Sequence, residues 1–327
     1  MDSARIVKNN VIQTLTNFPI FDTIQIANDL HFERKIFMYK RKITLLFSLL
    51  FCSSALFFSG CSPNQGKTND SSKIQVAVSI VPEATFVEAV GKDRVEVTTM
   101  IPPGSSPETY EPTPKQMTTF SKSNLFFSIG MPLEKNQLLP NLGKKTKVVP
   151  LAEAVQKQYP DLHLGEERDP HIWLSPKRVI VMIDSIVENL SKIDPRNTAF
   201  YQKNGDTYKD QLTAVDQKIQ KSLLPVKNRK FIVFHPAFGY LADDYQLEMY
   251  SLEEEGKEST PEHLRQMIDL AKSEHIKVIF YQAETDSSQS KAFAEELGGK
   301  TIRLEPLAKD YIGNLEKMIS TMIQVMK

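Results

Sequence analysis

Only two cysteines occur among the 327 residues, Cys52 and Cys61, and both precede residue 73, where alternating strand and helix patterns begin. The body of the chain can therefore form no disulfide and offers no thiolate to a metal, so a metal site there must use nitrogen and oxygen. An excess of one charge is also missing. Lysine and arginine number 40, aspartate and glutamate 40, and no basic stripe interleaved with aromatics appears, which excludes nucleic acid as a partner. The chain lacks a G-x-x-x-x-G-K-[ST] phosphate loop, a G-x-S-x-G elbow and an H-E-x-x-H helix, and Gly298-Gly299-Lys300 reads as a helix stop. No enzyme is expected. A zinc hydrolase would need a general base, and the one candidate, Glu111, reads as an exposed loop carboxylate. Tryptophan is reduced to a single residue, Trp173, in the stretch "DPHIWLSP".

Long apolar runs are absent except near the front. There Met38-Tyr39-Lys40-Arg41-Lys42 leads into "ITLLFSLLFCSSALFF", which closes on Ser59-Gly60-Cys61. A basic start, a short apolar core and small residues at its end make residues 38–60 a secretory signal, with a core too short for a comfortable membrane span. Phe58-Ser59-Gly60-Cys61 resembles a bacterial lipoprotein cleavage box, with Phe58 in place of the usual aliphatic residue. Cys61 is then the expected lipidation site, and residues 61–72, polar and flexible, the tether. The body is expected outside the cell, anchored by lipid to the outer face of the membrane. Residues 1–37 lie ahead of this signal and read as an upstream extension from an early start codon.

From residue 73 onward, valine- and isoleucine-rich runs of strand length alternate with helical stretches: "KIQVAVSIV", "VEVTTMI", "NLFFSIG" and "TKVVPL", then "KFIVF", "LEMYSL", "KVIFYQ" and "KTIRLE". This pattern predicts an α/β fold of two lobes, each with a mostly parallel central sheet flanked by helices. The lobes are placed at 73–194 and 226–327, with no sequence repeat between them. Ser175 and Pro176 cap a helix whose apolar face carries Val179, Ile183, Ile186, Leu190 and Ile193, stopped by Asp194-Pro195. A second helix, within 195–225, reads through Tyr208, Leu212, Val215, Ile219 and Leu223 and is a rigid link between the lobes, with Gly205 as its weak point.

Ligands of open α/β sheets sit beyond the carboxyl ends of the strands, where loops converge. "VEVTTMI" runs into "PPGSSPETYEPTP", which carries Glu108; "KFIVF" runs into His235-Pro236; "TIRL" runs into Glu305-Pro306. His171 lies in a proline-fenced loop before the inter-lobe helix. Two imidazoles and one or two carboxylates from separate, preorganised loops suit the shell of one divalent metal. Taken singly, each histidine is more often a surface or corner residue. His263 and His275 are expected on a charged helix facing water, and His163 in a solvated acidic loop.

In this order, "PPGSSPETYEPTP", "DPHIWLSP", "FHPAFGYLADDYQL", "EEEGKESTPEHL" and "IRLEPLAKDYIGNL" resemble the zinc and manganese solute-binding lipoproteins of bacterial ABC transporters over residues 73–327. The resemblance implies one transition metal held between two α/β lobes joined by a long rigid helix. It also implies a partner, a membrane permease driven by a separate ATPase, and a monomeric binding protein. It assigns metal ligation to Glu108, His171, His235 and Glu305, and makes Trp173 the packing that fixes the His171 loop. Zinc is the expected ion, with manganese or iron as alternatives and a surface adhesion lipoprotein as the competing function. Glu108 stands where the family usually has histidine, and Gln282 where it commonly has glutamate, with Glu284 nearby.

Overall fold

The computed structural model describes residues 73–254, 257, 259–285 and 288–326. The expected upstream extension at 1–37, the expected signal at 38–60, and Cys61 with the expected tether to residue 72 lie outside the described residues. Among the latter, no helix is long and apolar enough to cross a membrane.

The first lobe opens with β1 (Ile74–Val78), α1 (Val81–Gly91) and β2 (Val95–Thr99), followed by α2 (Pro114–Phe120), β3 (Leu125–Ser128), β4 (Lys147–Pro150) and α3 (Leu151–Gln156). Its four strands are all parallel, in the order β2-β1-β3-β4. A small antiparallel hairpin, β5 (His163–Leu164) and β6 (Glu167–Arg168), follows. The second lobe runs β7 (Lys230–Val233), α6 (Gly239–Asp244), β8 (Glu248–Ser251), α7 (Pro261–Ser273), β9 (Val278–Gln282), α8 (Ser288–Glu296), β10 (Lys300–Leu304) and α9 (Tyr311–Val325). Its sheet is also parallel, in the order β10-β9-β7-β8. Counted from the first strand of each lobe, both orders are second-first-third-fourth. The two lobes thus share one topology, although their sequences show no repeat.

Between the sheets run α4 (Pro176–Ile193) and α5 (Thr198–Leu223). Ser175 caps α4 by accepting a hydrogen bond from the Arg178 backbone, and Pro176 takes the first helical position, where its missing N–H is no loss. The 26 residues of α5 make a rod of about 39 Å at about 1.5 Å per residue. Gly205 does not interrupt it. A Cβ at that position would lie 2.4 Å from Cγ2 of Val187, so the glycine lets α4 pack closely across α5.

Strand composition reflects burial on both faces. Every side chain of β3 is buried, as parallel strands covered by helices require. One continuous apolar core takes in Val76 and Phe126 of the first sheet, Ile183 of α4, Leu212 of α5, and Phe231 and Phe280 of the second sheet. A smaller cluster around Ile232, Ile279 and Phe293 fills the far side of the second sheet. Because the larger core spans both lobes, separating them would expose apolar surface, which opposes a wide swing.

Polar bolts reinforce this. Arg178, almost fully buried, donates to the Pro160 carbonyl at 2.8 Å, lies 4.3 Å from the Tyr240 ring centroid, and pairs with Asp243 and Asp244 of α6. The Tyr240 hydroxyl donates to the Asp169 carbonyl at 2.9 Å, and Tyr311 of α9 donates to the Trp173 carbonyl at 2.6 Å.

Candidate metal centre

The carboxyl ends of the strands deliver acidic and imidazole side chains to the cleft. After β2, Ser106 donates its hydroxyl to the Glu108 carboxylate and accepts from the Glu108 backbone N–H, while Tyr110 Oη donates to Gln116 at 2.7 Å. These contacts shape the proline-rich loop and leave Glu108 partly open to solvent. The second sheet places His235 after β7, Glu253 after β8, Glu284 after β9 and Glu305 after β10. His171 comes from the loop that starts the short helical turn Ile172–Leu174.

Both imidazoles are buried, each about 5% exposed, and each is oriented by a carboxylate. His171 Nδ1 lies 2.6 Å from Asp169 Oδ1, which also accepts the His171 backbone N–H at 2.9 Å. His235 Nδ1 lies 2.6 Å from Glu253 Oε2. A carboxylate can only accept, so each ring carries its proton on Nδ1, and in the neutral form each Nε2 presents a bare lone pair. These two lone pairs face each other: Nε2 to Nε2 is 3.3 Å, and Glu108 Oε1 is 3.3 Å from His235 Nε2. The donor atoms of Glu108, His171 and His235 all lie within 4.8 Å of one another.

Three acceptors pointed at one spot repel unless a cation or proton sits among them. Two nitrogens about 2.05 Å from one zinc ion at the tetrahedral angle would be about 3.3 Å apart, the separation the rings already have. The residues therefore fit a divalent transition metal without rearrangement of either imidazole. Burial alone would push His235 towards neutrality. The hydrogen bond to Glu253 and the charges of Glu108, Glu253 and Asp169 outweigh that, and its pKa is raised, so positive charge is favoured at this point.

Glu305 stands outside this trio. Its carboxylate is engaged by Arg303 Nη2 at 2.7 Å, while its backbone is fixed close to the His171 loop: Trp173 Nε1 donates to the Pro306 carbonyl at 3.1 Å, and Asn314 Nδ2 donates to the Glu305 carbonyl at 2.7 Å. Trp173 also packs its ring against His171, with centroids 5.1 Å apart. The lone tryptophan thus ties the loop of one candidate ligand to the loop of another. Glu284 lies in a pocket it shares with Glu108, His235 and Glu253, and its buried Oε2 makes no hydrogen bond. Burial raises its pKa. A backbone hydrogen bond and Arg303 act against this, while Glu108 and Glu305 add to it.

Among the described residues, the remaining histidines take no part in the cluster. His163 is exposed on the β5–β6 hairpin. His263, expected to face water, instead turns inward from α7: its Nε2 is 2.9 Å from the Ser251 carbonyl and its Nδ1 3.7 Å from Glu254. His275 is exposed as expected but lies past the end of α7, with φ of 56°. Sequence reasoning missed the carboxylates that orient the rings, Asp169 and Glu253. The available signal was an acidic residue two positions before His171 and another two positions past the end of β8.

The family model described as zinc-uptake complex component A, periplasmic, matches residues 76–325. The chain belongs to this family. A crystal structure of ZnuA superposes with a TM-score of 0.73 at 32% sequence identity, covering 78% of this chain and all of the other. The zinc-binding lipoprotein AdcA of Streptococcus pneumoniae is 28% identical over 310 residues. That match covers 87% of this chain, which spans 61% of the length of that longer relative. A metal ABC transporter substrate-binding lipoprotein of Lactococcus lactis is 26% identical over 277 residues, covering 80% of this chain and 88% of that one. Membership fits what the geometry shows: two α/β lobes of one topology, a long helix between them, and nitrogen and oxygen donors gathered at the strand ends.

Proposed function

We propose that this member of the zinc-uptake family captures one zinc ion between its lobes and delivers it to an ABC-transporter permease powered by its ATPase. His171 Nε2, His235 Nε2 and Glu108 hold the ion, and Glu305 is the candidate fourth ligand. The convergence of two carboxylate-oriented Nε2 atoms at 3.3 Å carries this reading. Ligation of imidazole and carboxylate also admits manganese and iron, but these ligands bind zinc more tightly than either along the divalent series. Lipidation of Cys61 after export would hold the protein at the outer face of the membrane, within reach of the permease, as a monomer. The lipoprotein names of the two curated relatives support that placement.

The test is a zinc titration of the full-length chain in detergent, followed by desalting and metal analysis. One equivalent of zinc should be retained, and manganese offered in equal amount should be excluded. Retention of no metal, or of several weakly held equivalents, would refute the proposal.

Metal arrival should move the lobes little. The continuous core and the bolts from Arg178, Tyr240 and Tyr311 resist a hinge, so loading and release act through the loops. Small-angle scattering profiles of metal-free and zinc-loaded protein are expected to superimpose. A clear contraction on loading would show that the lobes close as rigid bodies.

A further inference from the structure

Arg303 occupies an unusual place for a cation. It lies in β10, and the two-residue period of a strand puts its side chain on the same face as that of Glu305, just beyond the strand end. Its guanidinium holds the Glu305 carboxylate at 2.7 Å and also acts electrostatically on Glu284. The rim of the cleft on this side is otherwise acidic, with Glu108, Glu253, Glu284 and Glu305. The Glu305 backbone has little freedom, since Asn314 holds its carbonyl and Trp173 holds the next one. The carboxylate arm is therefore the part that can move, and it is parked on Arg303 rather than turned to the two imidazoles.

We propose that Arg303 is a built-in competitor of the metal: it holds the Glu305 carboxylate in the metal-free protein and releases it when a divalent cation arrives. This rests on the metal-binding reading above and adds a positioning residue to it. A carboxylate oxygen shared with a guanidinium is a poorer donor to a metal, and Arg303 is itself repelled by a doubly charged ion. Capture must then break the ion pair, which lowers affinity. Release to a partner is helped by the same amount, because the departing ion leaves Glu305 a counter-charge to return to. Both side chains of the pair are about half exposed, at 54% and 41%, so solvent screens the pair and the competition is modest.

The experiment is zinc affinity of the full-length chain in detergent, measured by competition with a fluorescent chelator, for the native protein, Arg303→Gln, Glu305→Gln, the double variant and His171→Ala. Arg303→Gln is expected to tighten zinc binding by about fivefold, the ratio that about 1 kcal/mol sets. Glu305→Gln should weaken binding, and adding Arg303→Gln to it should change nothing further. Equal tightening by Arg303→Gln in both backgrounds would show a general field effect and overturn the proposal, as would unchanged or weaker binding in the single variant. His171→Ala separates the two levels. If it binds zinc as the native protein does, the metal-site reading itself fails. If it loses zinc while Arg303→Gln has no effect, only the role of Arg303 is lost.

Discussion

Replacing His171 or His235 with alanine is expected to lower zinc affinity by more than about 100-fold, above the range usual for outer partners of a metal site. Each substitution removes one of only two nitrogen donors and leaves the partner carboxylate, the buried Asp169 or the half-buried Glu253, facing an empty space. The loss should be seen by chelator competition with the fold intact, because the alanine variants keep the apolar core that joins the lobes. Circular dichroism and thermal unfolding of the same samples check that point. A variant that folds normally and binds zinc within a few-fold of the native protein would remove that histidine from the site.

The second large effect concerns a residue that touches no metal. Glu253→Gln should weaken zinc binding by about 10- to 100-fold, the loss typical when the partner of a ligating imidazole is changed. The glutamine keeps the size of the side chain but not its charge, and its NH2 can turn towards Nδ1, which would move the ring proton to Nε2 and cap the donor atom. The 2.6 Å contact between Glu253 and His235 Nδ1 is where this change acts. Proton NMR of the imidazole resonances in metal-free protein, at a pH high enough to make the rings neutral, distinguishes the tautomers: Nδ1–H in the native chain, a shift towards Nε2–H in the variant. Native affinity in Glu253→Gln would show that ring orientation comes from packing alone. Asp169→Asn should behave in the same direction. Its remaining oxygen can still accept the His171 backbone N–H, which bonds to Oδ1 in the native chain, so the loop is expected to hold its shape.

Much of this arrangement was legible in the sequence, for a physical reason. The central strands β1, β3, β7 and β9, largely buried, must be runs of apolar residues and so announced themselves. Strand ends marked Glu108, His235 and Glu305 as candidates, a proline-fenced loop marked His171, and the resemblance to a family joined the four as expected ligands. Caps were equally local: Ser175 before Pro176 and Thr260 before Pro261 do accept the backbone N–H three residues on. Strand order was not legible, because hydrogen bonding between strands distant in sequence leaves no local trace. The shared topology of the lobes therefore emerged only in three dimensions.

Side-chain partnerships were hidden for the same reason. Glu305 could face the imidazoles or Arg303, and the choice depends on distances no spacing rule contains; it takes Arg303. Asp169 and Glu253 become partners of the two rings only through contacts made in three dimensions. His263 sits at a helical position among charged neighbours, yet the Ser251 carbonyl draws it inward. Gly205 looked like a weak point in a helix and proved to be a contact surface for Val187.

The most direct measurement is an anomalous difference map from crystals of the zinc-loaded protein, collected at the zinc absorption edge. A single strong peak is expected about 2.0–2.1 Å from Nε2 of both His171 and His235, with a Glu108 oxygen completing a third bond at similar length. A peak bound elsewhere on the surface, or zinc reached through only one of the two rings, would contradict the site.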